Sequence, residues 1–229
     1  MLLEVIVTGP DEARIATAAG ADRLELVAAL HRGGLTPGLE IIAEVVAAVD
    51  IPVHVMARPH DRDFRYREDE ICAIEEAAEA ARYAGAQGIV FGALTATGDI
   101  DVACLERIAA ASGPLPITFH RAFDETRDPL AALDVLSTLP AVTTVLTSGQ
   151  APSAWHGREL LKTLVARGGP PAILAGAGIS ADNVLALLRA TGATNVHVGN
   201  GARTDGRIDA QKIDRLRTLL SDAERILAG

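Results

Sequence analysis

Glu4, Glu25, His54, Arg58, His120, Arg121 and His197 are the side chains of this sequence best suited to moving a proton or holding charge. Each falls in, or just after, a short apolar run. In Ile51-Pro-Val-His-Val-Met-Ala-Arg58 a strand period of two sends Val53 and Val55 to one face and His54, Met56 and Arg58 to the other. The same parity sets Glu4 and Ile6 against Val5 and Val7, and Glu25 and Val27 against Leu24 and Leu26. Thr118 and His120 share a face, followed by Arg121 and Asp124, and Asn195 shares one with His197. Imidazoles and charges on a buried strand face are costly unless partnered or used. Several strands aiming such groups at one interior therefore describe either a buried polar layer or a site. Glu4 and Glu25 sit early in their strands, where membership of a structural layer is the simpler reading. Arg58 and His120 sit at strand ends, where a functional reading gains. In that reading Glu25 or His120 moves a proton and Arg58 holds an anion.

Glycine supplies a second signal. Thr147-Ser-Gly-Gln150, Gly176-Ala-Gly-Ile-Ser180 and Gly199-Asn-Gly201 each follow an apolar run. Glycine is the ordinary turn residue, so one such loop says little. It also lets backbone N–H groups approach an anion beside a helix N-terminus, and three such loops on one rim say more. Ser148, Gly149, Gly176, Gly178 and Gly199, with Arg121, are the expected anion-holding residues.

These groups need a scaffold that delivers them to one end. Strand patterns at 2–7, 23–27, 53–56, 88–92, 116–120, 143–147, 172–175 and 195–198 alternate with helical patterns, the last at 209–227. Thr36-Pro37, Asp128-Pro129 and Ser180 read as helix caps or first turns, and a helix is expected from 153 to 167. Eight strand–helix units imply right-handed parallel crossovers and a closed (β/α)₈ TIM barrel, one domain over 1–229. An open doubly wound sheet is the alternative. In a barrel of this kind the working groups gather at the C-terminal ends of the strands, and phosphate sites often form after strands seven and eight.

Composition narrows the partners. Hydrophobic residues make up 49% and aromatics 3%, so the core is aliphatic. A net charge of -9 argues against nucleic acid or an anionic membrane surface but leaves small anions open. Cys72 and Cys104 show no metal spacing and read as packing residues, while His31, His60 and His156 read as facing solvent. The start Met1-Leu-Leu-Glu4 lacks the basic, long-apolar form of a signal peptide, and no apolar run is long enough for a bilayer span. A soluble, cytoplasmic protein is expected.

Gly20-Ala-Asp-Arg-Leu-Glu-Leu26, Gly33-Gly-Leu-Thr-Pro37, Ile51-Pro-Val-His-Val-Met-Ala-Arg-Pro59, Val90-Phe-Gly92, Thr118-Phe-His-Arg-Ala-Phe-Asp124, Leu146-Thr-Ser-Gly-Gln-Ala-Pro152 and Gly176-Ala-Gly178 resemble the CutC family, long described as copper-homeostasis proteins. The resemblance implies a TIM barrel, a cytoplasmic location, a homo-oligomer and a role in copper handling, without an established reaction. Members often carry cysteine after the strand-one glutamate and after the Glu-Leu of strand two, as proposed copper(I) ligands. Here those positions are Ile6 and Val27. Copper(I) prefers thiolate or thioether ligands, and Met56 is the sulfur left on the inward faces. A metal would otherwise have to use His54, Met56, His120, His197 or the glutamates. Two readings stay open: a copper-linked binding protein, and an enzyme or binder for a small anionic, for instance phosphorylated, metabolite. A scaffold whose oligomer interface is its function is a third, which nothing in the sequence demands.

Overall fold

The computed structural model describes residues 1–228. Its chain order is β1 (Leu2–Val7), α1 (Pro10–Ala18), β2 (Arg23–Leu26), α2 (Leu39–Ala48), β3 (Val53–Met56), α3 (Glu68–Tyr83), β4 (Gly88–Phe91), α4 (Val102–Ser112), β5 (Ile117–Phe119), α5 (Pro129–Ser137), β6 (Val142–Thr147), α6 (Arg158–Arg167), β7 (Ala172–Ala175), α7 (Val184–Thr191) and β8 (Asn195–Val198). A two-stranded pair, β9 (Arg203–Thr204) and β10 (Arg207–Ile208), precedes α8 (Ala210–Ala228). Strands β1 to β8 pair in sequence order, all parallel, and β8 closes onto β1. This is the expected (β/α)₈ barrel.

Strand parity divides the barrel into two environments. Val5, Val7, Leu24, Leu26, Val53 and Val55 are buried with the helix residues Ala13, Ile42, Ile74 and Leu105 in one continuous apolar layer. Each large aliphatic side chain fully buried there contributes about 1.5–3 kcal/mol. The opposite faces hold less apolar surface, a small cluster of Val27, Met56 and Val90 with Ile6 and Leu30 against it, and the buried Leu146 and Leu174. Much of the remaining interior is polar: Glu4, Glu25, His54, Thr118, His120, Thr144 and His197 are all buried.

Side-chain caps start several helices. Asp101 accepts from Cys104 N at 3.0 Å to open α4, and Asp128 accepts from Leu130 N and Ala131 N to open α5. Three expectations need correction. Helix α2 starts at Leu39 with Gly38 as its cap, not at Thr36-Pro37, because the Thr36 hydroxyl accepts from Arg58 N and belongs to the barrel mouth. Helix α7 begins at Val184, not Ser180, whose N–H donates to the Asn183 side chain in a preceding turn. Helix α6 begins at Arg158, five residues later than expected, since the segment before it is a turn in which the Ser153 hydroxyl and His156 Nδ1 pair at 2.7 Å.

Two side-chain expectations also change. Cys72 is exposed on α3, whereas Cys104 is buried as expected. His60 does not face solvent: its side chain is 13% exposed and lies 5.3 Å from the Tyr66 ring. His31 and His156 are exposed as expected.

Candidate functional site

The deepest polar group is a chain running across β1, β8 and β2. Glu4 is fully buried, and its carboxylate accepts from Arg23 Nε at 2.5 Å and lies 2.7 Å from His197 Nδ1. The other ring nitrogen of His197, Nε2, lies 3.7 Å from Glu25 Oε2. Burial alone would raise the Glu4 pKa, but the hydrogen bond from His197 and the charge of Arg23 outweigh it and hold it at about 2. Glu25 has weaker compensation. Burial, reinforced by the Glu4 charge, pushes it up to about 7. For His197, burial works toward a lower pKa, yet the two carboxylates prevail and raise it. Strand pairing sets this contrast, because it places Arg23 directly beside Glu4 and leaves Glu25 beside His54. His54 sits behind, its Nδ1 3.3 Å from Thr118 Oγ1, and burial lowers it to about 4.

Glycines on β4 make room for two of these rings. A Cβ at Gly88 would lie 2.5 Å from the His54 ring, and one at Gly92, just after the strand, 2.7 Å from His120 Nδ1. The period of two puts Gly88, Val90 and Gly92 on the inward face, so those glycines are the space the histidines occupy.

Above this layer the segment after β3 folds over the mouth. The Arg58 guanidinium lies 4.8 Å from the Phe64 ring centre, and the Phe64 ring lies 4.9 Å from that of His120. Arg58 is held by its backbone, which donates to Thr36 Oγ1 and accepts from Thr36 N. His120 is buried, and Ala122 N–H donates to its Nδ1 at 3.1 Å. Burial, with the Arg58 charge nearby, drives its pKa down to about 3.

The three glycine loops do not share one condition. In the loop after β6, the Asp124 carboxylate accepts from Thr147 Oγ1, Ser148 N, Ser148 Oγ, Gln150 N and Arg121 Nε. Gly149 N–H turns back to Thr147 Oγ1. The protein's own carboxylate thus occupies the position expected for an external anion at Ser148 and Gly149, and Arg121 is paired with it. After β7, Ala177 and Gly178 both take left-handed backbone conformations, with φ of 75° and 71°. Among the described residues neither of their N–H groups has a protein acceptor. Gly201 allows the loop after β8 to close on them, since a Cβ there would collide with Ile179 O.

These parts meet at a cavity of about 350 Å³ lined by Glu25, Arg58, Phe64, His120, Gly178 and His197, with Ile6, Leu30, Met56 and Leu146 among its apolar walls; Arg121 also borders it, its Nε held by Asp124. Glu25 Oε1, Arg58 Nε and His120 Nε2 are buried polar atoms with no protein partner. Each such atom costs about 1–3 kcal/mol if left unsatisfied. Of the residues the sequence singles out, Glu25, Arg58, His120, Arg121, Gly178, His197 and Gly199 border this cavity. Sequence reasoning missed the role of Asp124, whose signal was only its place four residues after His120.

The donor set does not suit copper(I). Ile6 and Val27 stand at the proposed cysteine positions, and Met56 is packed against Val27 and Val90. Among the described His, Cys, Asp and Glu residues, Glu4, Glu25 and His197 form the one group of three whose ligand atoms lie within 4.8 Å of each other. Those atoms are nitrogen and oxygen, and Glu4 is already bound by Arg23 and His197. His54, paired with Thr118, and His120 are not members of that group.

The model of the CutC family matches residues 1–202. A CutC family protein of Salmonella schwarzengrund is 43% identical over 200 residues, covering 87% of this chain and 80% of its own length. One from Klebsiella pneumoniae is 44% identical over a similar span. Among solved structures, the copper-homeostasis candidate CutC of Streptococcus agalactiae superposes with a TM-score of 0.81 at 29% identity, covering 91% of this chain and 100% of that one. Phosphoribosyl anthranilate isomerase from Thermococcus kodakaraensis superposes at 0.65 with 18% identity over 96% of this chain and 98% of its own, a likeness of fold alone. No described helix is long and apolar enough to cross a membrane.

Proposed function

The chain belongs to the CutC family, and on that premise we propose that its working site is the mouth cavity, which takes a small anionic metabolite. Any share it has in copper homeostasis, the role named for its Streptococcus agalactiae relative, runs through that ligand and not through a thiolate copper(I) centre. The observation that carries this reading is the meeting of three unpartnered buried atoms, Arg58 Nε, His120 Nε2 and Glu25 Oε1, on residues that line one cavity. A fixed cation, an open glycine loop and a buried acid beside it suit an anion with a polar, reactive neighbouring group. A cytoplasmic location and a homo-oligomer belong to the same proposal and rest on the family resemblance.

Two titrations test it. Anaerobic copper(I) titration against a strong chelator should show no competition by the wild type. Calorimetry with inorganic phosphate and phosphoglycolate should show binding that Arg58→Ala weakens. Tight copper(I) binding without anion binding would reverse the assignment.

A further inference from the structure

Resting on that reading of the mouth cavity, we infer that the pocket enolises its ligand. Glu25 takes a proton from a carbon beside a carbonyl, and the neutral His120 ring donates a hydrogen bond to the carbonyl oxygen. The ligand class is then a small α-hydroxy aldehyde, ketone or keto acid bearing a phosphate or carboxylate.

The tautomer of His120 comes from geometry. Ala122 N–H points at His120 Nδ1, so that nitrogen is an acceptor and carries no proton. The proton of the neutral ring is therefore on Nε2, the atom without a protein partner. Protonating Nδ1 would set two donors against each other, and burial and Arg58 oppose the cation as well. A neutral imidazole held in this way supplies an N–H to a developing oxyanion without acting as a strong acid.

Glu25 is matched to the other half of the step. It lines the same cavity, Oε1 is free of protein partners, and its pKa of about 7 gives both protonation states near neutrality. Four charged or titratable groups bear on it: Glu4 of β1, Arg23 on its own strand, His54 of β3 and His197 of β8. Glu4 orients His197, which faces Glu25 Oε2, so His197 is a positioning residue for the base.

The step balances without a cofactor. The C–H bond breaks, its proton forms an O–H bond on Glu25, and the C–H electron pair becomes the carbon–carbon double bond of an enediolate. The carbonyl π pair moves onto oxygen, opposite His120 Nε2–H. Return of the proton to the same carbon restores the ligand. Its return to the neighbouring carbon, with a hydroxyl proton passing between the two oxygens, gives the isomer.

Proton exchange in deuterium oxide reads this step directly. Dihydroxyacetone phosphate, ribulose 5-phosphate and hydroxypyruvate separate phosphate from carboxylate ligands, with proton NMR following loss of the C–H beside the carbonyl. At least one should exchange faster with the protein than without it. Glu25→Gln should slow that exchange about 100-fold or more while binding changes less than about threefold. His120→Gln should cost about 100-fold. His197→Asn should move the pH at which exchange reaches half its maximum, which a purely structural role would not do. Arg58-dependent binding without exchange overturns enolisation and leaves the anion pocket standing. Absence of binding by all three overturns both. Exchange unchanged in Glu25→Gln overturns its role as base.

Discussion

The loop after β6 and the loop after β7 offer the same residues to a first inspection: small side chains, glycine and a helix to follow. Their fates differ because of one carboxylate. Asp124 enters the first loop and gathers Thr147, Ser148, Gln150 and Arg121 around itself. Among the described residues no carboxylate accepts from the second, where Ala177 and Gly178 line the cavity beside Glu25, Arg58 and His120. A glycine loop on a barrel rim is thus an anion cradle only if the chain has not already filled it.

The largest expected effect attacks the filled loop. Asp124→Ala strips the acceptor from several buried donors, and a loss of about 3–5 kcal/mol is expected in urea unfolding. Added acetate should recover part of it by occupying the cradle. A loss below about 1 kcal/mol would mean the loop is not built around the carboxylate.

Gly201→Ala challenges the open loop's geometry, as its Cβ meets Ile179 O, a backbone atom that cannot turn away. About 2–3 kcal/mol of destabilisation is expected, whereas Gly38→Ala, with no atom within 4 Å, should stay near wild type in thermal melts.

Glu25→Gln sharpens the contrast between partnered Glu4 and unpartnered Glu25. The pKa of Glu25 is raised on folding, so the stability it contributes is full below the ordinary carboxylate range and is lost as pH rises through about 7. The variant should therefore gain on wild type between pH 5 and pH 8.5, by about 2 kcal/mol. A difference in melting temperature that stays flat across that range would contradict the burial account. Smallest is Ala177→Gly, which relieves a left-handed alanine while loosening the unfolded chain. The net change should be within about 1 kcal/mol, with any gain favouring the strain seen at φ 75°.

The barrel was legible because its cause is local. Val5, Leu24 and Val53 alternate with Glu4, Glu25 and His54, and that period alone sorts the helix-facing layer from the polar interior. The segment after β3 puts Phe64 between Arg58 and His120, a contact that strand parity does not place. The pair β9–β10 escaped because its strands are two residues long, although Asp205-Gly206, both left-handed, is a hairpin signal in the sequence. What could not be read were pairings across the chain. Arg23 with Glu4, Arg203 with Glu12 and Asp124 with the loop after β6 depend on strand register and closure. A periodicity argument places side chains on faces and does not say which acceptor each donor meets.

In the proposed function the open loop with Arg58, and not the filled loop with Arg121, receives the ligand. Calorimetric titration of phosphoglycolate into wild type, Arg58→Ala and Arg121→Ala tests it most directly. A single site is expected, weakened about 10-fold or more by Arg58→Ala and less than about threefold by Arg121→Ala. Equal losses in the two variants, or a greater loss in Arg121→Ala, would contradict it.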